Sequence, residues 1–226
     1  MSKFVDRNTI FIINCFEYLV KSFLKTYRKV LLDFEKKLEY NIYQQIVARF
    51  KMKQLSKDEL VKSIESFKLP KYNEIPDVGL FLEQTTKYIS GILAPLEGIT
   101  ITSSMISNYV KKKLVSNPVK KQYDREQIAY LIFIAVAKTV LSLENIQRFI
   151  DLQKNSYESQ IAYEYFCSEF ENMLFYVFGA SNSLENIGTD GSEEKIMLRN
   201  TIIAVVHKVY LETCFAIINK NEENEK

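Results

Sequence analysis

Helix breakers are spread very unevenly along this chain, and that spread constrains its fold more than any other feature. All four prolines lie between Pro70 and Pro118. Three of the six glycines, Gly179, Gly188 and Gly191, crowd into one short stretch. Residues 1–69 contain neither residue type. Proline removes a backbone donor and glycine costs conformational entropy, so long stretches without them favour helix. β-Branched and aromatic residues are common, yet sustained period-two alternation is absent. The chain therefore reads as all-α with at most a short hairpin.

Residues 8–50 read as one or two amphipathic helices, because Phe16, Leu19, Val20, Phe23, Leu24, Tyr27, Val30 and Leu31 recur at helical steps. Ser56-Lys57-Asp58-Glu59 has capping-box spacing and precedes an apolar stripe of Leu60, Val61, Ile64 and Phe67. Asp77 is the expected N-cap of the next helix, which ends near Pro95. A short helix with a Thr or Ser cap is expected over Thr102–Leu114, followed by a basic, extended Val119–Tyr123. Asp124 and Gln127 are spaced to cap a helix that is apolar nearly all round and so should be central. Ser142 is expected to cap another helix. Residues 157–178 and Ser192–Ile217 should form two long helices after it.

Composition excludes several classes. At 226 residues, 47% hydrophobic and 26% charged, the chain fits one large domain or two small ones, not extended disorder. Three cysteines without a close pair exclude a disulfide framework, and a single histidine leaves no sequence-evident metal site. Cys15, Cys167 and Cys214 read as small core residues, and His207 as a core or interface residue. No phosphate-binding loop, GxGxxG, HExxH, GxSxG or CxxC occurs, so no catalytic residue, cofactor or enzyme activity is expected. The uncharged runs are short for a membrane span, and the amino terminus does not read as a secretory signal; a cytoplasmic location is expected.

The net charge of +2 conceals a division. Residues 100–150 carry eight Lys/Arg against three Asp/Glu, whereas residues 151–226 carry six against thirteen. From Ser103 to Arg125, six basic residues oppose one acid, Asp124. A helix that presents small polar side chains, followed by a basic wing, suits duplex DNA. The polar groups reach base edges and the lysines neutralise phosphates. A solvated lysine face on an ordinary helix pair explains the same residues.

Ile106-Ser107-Asn108-Tyr109, Leu114-Val115, Pro118, Tyr123, Leu131-Ile132-Phe133-Ile134 and Leu141-Ser142-Leu143-Glu144-Asn145-Ile146 follow one another in an order that resembles the MerR-type winged helix-turn-helix. More closely, Phe67 to Ile150 resembles a bacterial domain-of-unknown-function family, the YkrK-like domain. The residues that carry this are Ile75-Pro76-Asp77, Leu93-Ala94-Pro95-Leu96, Ile101–Lys111, Pro118–Lys121, Tyr123–Glu126 and Ile128–Leu131. Two departures stand out. The MerR-type recognition helix has an Arg where this chain has Ser107, and a Gly before the following Leu where this chain has Lys113. A lysine must therefore fit the helix end.

The resemblance implies a MerR-like core over about residues 68–150, in a sequence-specific transcriptional regulator that binds double-stranded DNA as a homodimer. Ser103, Ser104, Ser107, Asn108 and Tyr109 are the candidates for base or register contacts, with Tyr109 alternatively partly core. Lys111, Lys112, Lys113, Lys120, Lys121 and Arg125 are the candidates for phosphate contacts, with Tyr123 the aromatic of the wing. Three divisions are expected: an N-terminal helical extension (1–51), the DNA-binding domain (52–152), and a C-terminal helical hairpin (153–226) for oligomerisation or an effector. The alternative is a helical protein-interaction or ligand-binding module.

Overall fold

The computed structural model describes residues 56–185, 187 and 191–224. All of these belong to the second of the chain's two units, Gln54–Lys226. The helices expected over 8–50 lie outside the described residues.

The described residues are mostly helical. In order they form α1 (Lys57–Ile64), a 3-10 turn (Tyr72–Glu74), β1 (Leu80–Phe81), α2 (Leu82–Leu93), α3 (Ser103–Lys111), β2 (Gln122–Tyr123), α4 (Arg125–Ala137), α5 (Leu143–Ser156), α6 (Ser159–Phe178) and α7 (Glu193–Asn224). β1 and β2 pair antiparallel, Leu80 opposite Tyr123 and Phe81 opposite Gln122.

Helix α4 is the pillar of this unit. The Gln127 backbone N–H donates to the Asp124 carboxylate at 2.8 Å, and the Asp124 N–H donates to the Gln127 side-chain oxygen at 2.9 Å. This reciprocal cap satisfies two of the helix's orphan donors. Ile128, Leu131, Ile132, Ile134 and Val136 behind it are all fully buried. Burial of each contributes about 1.5–3 kcal/mol. Helices α2, α6 and α7 pack around this apolar rod.

Helix α6 ends at Gly179, whose φ of +76° is left-handed. The Ala180 N–H donates to the Phe175 carbonyl and the Gly179 N–H to that of Tyr176, a Schellman ending. A side chain at Gly179 would also meet Lys57 Cε at 2.9 Å. Helix α7 lies along α6 and buries Leu198, Ile202, Val205, Val206, Val209 and Cys214. By length and composition α7 is also apolar enough to cross a membrane. Burial against the core accounts for one side of it; Ile196, Met197, Leu211 and Phe215 remain exposed.

Several expectations are corrected. Ser56 occupies the N-cap of α1 but its side chain makes no capping bond. The helix expected from Asp77 starts at Leu82, because the chain before it is drawn out to pair with β2. Gly79 permits that approach, since a Cβ there would stand 2.7 Å from Gln122 Cβ. The last helix runs past Ile217 to Asn224. His207 is exposed on it rather than in the core. The boundary expected at 152/153 falls within α5, and one hydrophobic core is shared across it.

Candidate functional site

The basic segment is displayed from a rigid frame. Thr102 caps α3 by accepting the Met105 N–H at 3.2 Å. Ile106 and Tyr109 bury the inner face of α3 against the core, and α2 packs beside it. Ser103 contributes to this bracing: its hydroxyl meets that of Thr86 on α2 at 3.0 Å. The outer face carries Ser104, Ser107, Asn108 and Lys111, all exposed. Ser107 donates to the Ser103 carbonyl at 2.9 Å, which leaves its oxygen free to accept.

Helix α3 ends in the same Schellman geometry as α6. The Leu114 N–H donates to the Tyr109 carbonyl at 3.0 Å and the Lys113 N–H to that of Val110 at 2.9 Å. The residue in the glycine position is Lys113, with φ of +63°. The lysine thus meets the helix end by taking the left-handed conformation, which costs an L-residue about 1–2 kcal/mol.

The chain then turns back. Leu114 and Val115 are buried anchors, and the Gln127 side chain donates to the Ser116 carbonyl and hydroxyl, both at 2.9 Å. Val119 and Gln122 form an antiparallel bridge closed by a 2.9 Å bond from the Gln122 N–H to the Val119 carbonyl. Between them Lys120 and Lys121 have φ of +51° and +65°. Two successive positive φ values across a closed four-residue turn define type I′, where Asn-Gly is the favoured pair. Among the described residues the left-handed positions outside glycine are Lys113, Lys120 and Lys121. All are lysines, and all lie in one nine-residue stretch with exposed side chains.

Of the candidate residues, the structure presents Ser104, Ser107, Asn108, Lys111, Lys112, Lys113, Lys120 and Lys121 at the surface. It withdraws the others. Tyr109 is 2% exposed, and desolvation raises the pKa of its hydroxyl. Tyr123, on β2 opposite Leu80, is buried, and burial also raises its pKa. Arg125 is committed inward: its Nε donates to the Ile75 carbonyl at 3.0 Å, Asp77 lies 3.6 Å away, and its guanidinium sits over the Tyr72 ring. A base-contact role for the Tyr109 ring and a phosphate role for Arg125 therefore do not follow from this geometry. Sequence reasoning also missed Lys138. It follows α4 and points its ammonium at Met105 Sδ on α3, 3.4 Å away, and burial lowers its pKa. The separation of 33 residues hides that neighbour until the chain is folded.

The geometry defines a mostly helical domain with a small two-stranded sheet, which carries lysines on a helix end and a tight turn. Residues 70–166 match the family described as a domain of unknown function, DUF1836. No curated protein and no solved structure matches the chain. The matched stretch spans the 3-10 turn to the first half of α6, and the resemblance in the sequence runs from Phe67 to Ile150.

Proposed function

We propose that the chain is a sequence-specific DNA-binding regulator. In this reading α2 and α3 are a helix-turn-helix of MerR-like kind, as in the YkrK-like resemblance, and the Val119–Gln122 turn is its wing. One observation carries the reading. The backbone conformations at positions 113, 120 and 121 favour glycine or asparagine, yet each position holds a lysine. Strain retained at a surface position is characteristic of functional sites. What lysine offers there is an exposed ammonium, and ammonium groups on two neighbouring elements suit the phosphates that flank a groove. Ser104, Ser107 and Asn108 on the outer face of α3 are of the type that reads base edges. The exposed Ile196, Met197, Leu211 and Phe215 of α7 supply the contact for a homodimer, which would place two such units on two half-sites.

The test is selection of bound fragments from random duplex DNA with the full chain. A shared motif should emerge, and Asn108→Ala should change that motif more than it changes non-specific affinity. Enrichment of no motif would overturn the sequence-specific reading. A sedimentation coefficient of a monomer would remove the dimer.

A further inference from the structure

A second site lies away from the basic segment. Between α4, α5, α6 and the start of α7 is a cavity of about 130 Å³. Its walls include Phe133, Phe149 and Phe166; the Phe133 ring lies 5.7 Å from Phe149 and 5.4 Å, edge-on, from Phe166. Ala129 and Ala162 also line it, and their small side chains leave the space open. Apolar cavities of roughly 150 Å³ hold one benzene-sized ring.

Tyr157, Glu194 and Lys195 also line the cavity, and a hydrogen-bonded cluster lies where α4, α5 and α6 meet. Tyr130 Oη is 2.9 Å from Gln153 Oε1 and 3.0 Å from Ser159 Oγ, and Ser159 Oγ also bonds Glu126 Oε1. Gln153 commits its amide nitrogen to the Tyr157 carbonyl at 2.7 Å, which fixes its Oε1 as an acceptor. Three contacts are therefore served by two hydroxyl protons, those of Tyr130 and Ser159. Among these protein groups one acceptor site is therefore left over. Tyr130, Gln153 and Ser159 all line the cavity, so an O–H or N–H brought in by a ligand completes the cluster.

We propose that this cavity binds a small single-ring compound that carries one hydrogen-bond donor, of phenolic type. The ring fills the space between the three phenylalanines and the donor enters the Tyr130–Gln153–Ser159 cluster. This site does not depend on the DNA reading, and neither one fails with the other.

Phenol and anisole are the probes, because they share a ring and differ in the donor. Calorimetric titration of the full chain should show saturable phenol binding, one per chain, about tenfold tighter than anisole, equivalent to about 1.4 kcal/mol. Intermolecular NMR contacts should join the phenol ring protons to the rings of Phe133 and Phe166. Ala162→Phe fills the cavity and should abolish binding while circular dichroism stays helical. If that variant does not fold, the phenol–anisole comparison and the NMR contacts on the unaltered chain decide alone. No saturation by about 10 mM phenol, equal affinity for anisole, or ring contacts elsewhere would each overturn the proposal.

Discussion

Lys113, Lys120 and Lys121 each hold a conformation that lysine does not favour, and they differ in how far the sequence disclosed it. Lys113 stands where the resembled family has glycine, so its strain at the end of α3 was legible from one substitution in a known pattern. Nothing in Lys120-Lys121 announces a type I′ turn, since the usual signal is Asn-Gly. The turn is imposed by its surroundings: the Val119–Gln122 bridge and the pairing of β2 with β1. Lys113→Gly should therefore raise the unfolding free energy by about 1 kcal/mol, as relief of left-handed strain outweighs the added chain entropy. Urea denaturation measures this; a loss of stability would show that the lysine side chain holds the helix end by contacts of its own. Tyr109 makes a complementary case. Its hydroxyl is buried without a hydrogen-bond partner among the described residues. Tyr109→Phe should leave DNA affinity unchanged and stabilise the fold by about 1 kcal/mol. A fall in sequence-specific affinity in this variant would return Tyr109 to the reading face.

Elements were legible where local chemistry sets them and obscure where a distant partner does. Thr102, Asp124 and Ser142 all cap the helices they precede, because a cap is decided within four residues. The apolar girdle of α4 placed it at the centre for the same local reason. β1 was not legible: two residues of strand exist only because β2, some forty residues on, pairs with them. The link between α6 and α7 was hidden in the same way. Glu169, 2% exposed, accepts from Arg199 Nη2 at 2.6 Å and from the Tyr165 hydroxyl at 2.8 Å. Arg199 also reaches the Ile187 carbonyl at 3.3 Å and so fastens the loop between the two helices. The separation of 30 residues between Glu169 and Arg199 hides this pairing from any local pattern. Arg199→Ala should cost about 3 kcal/mol, because it strands a buried carboxylate. Thermal melting checks this, and an unchanged midpoint would mean that water and Tyr165 suffice for Glu169.

Among the described residues, α4 joins the basic segment to the C-terminal helices. Phe133 on α4 packs on Phe149 of α5 and Phe166 of α6, and the family match likewise runs beyond 152 into α6. A chain cut after Leu152 would uncover the apolar faces of α4 that α6 and α7 now bury. It is expected to aggregate or to lose its cooperative unfolding transition, as circular dichroism during heating would show. A cooperative melt from that fragment would establish residues 52–152 as a self-sufficient domain.

In the proposed function the strained lysines are kept for their charge toward DNA phosphates. The most direct measurement is the salt dependence of duplex binding by the full chain, with and without the paired substitution Lys120→Asn and Lys121→Gly. Asn-Gly suits the type I′ turn, so the wing keeps its shape while two charges leave. Each phosphate contact contributes about 0.9 to the slope of log affinity against log salt, so the slope should fall by about 1.8. The melting temperature should stay level or rise. An unchanged slope in the folded variant would leave these lysines as a solvated surface with no part in DNA binding.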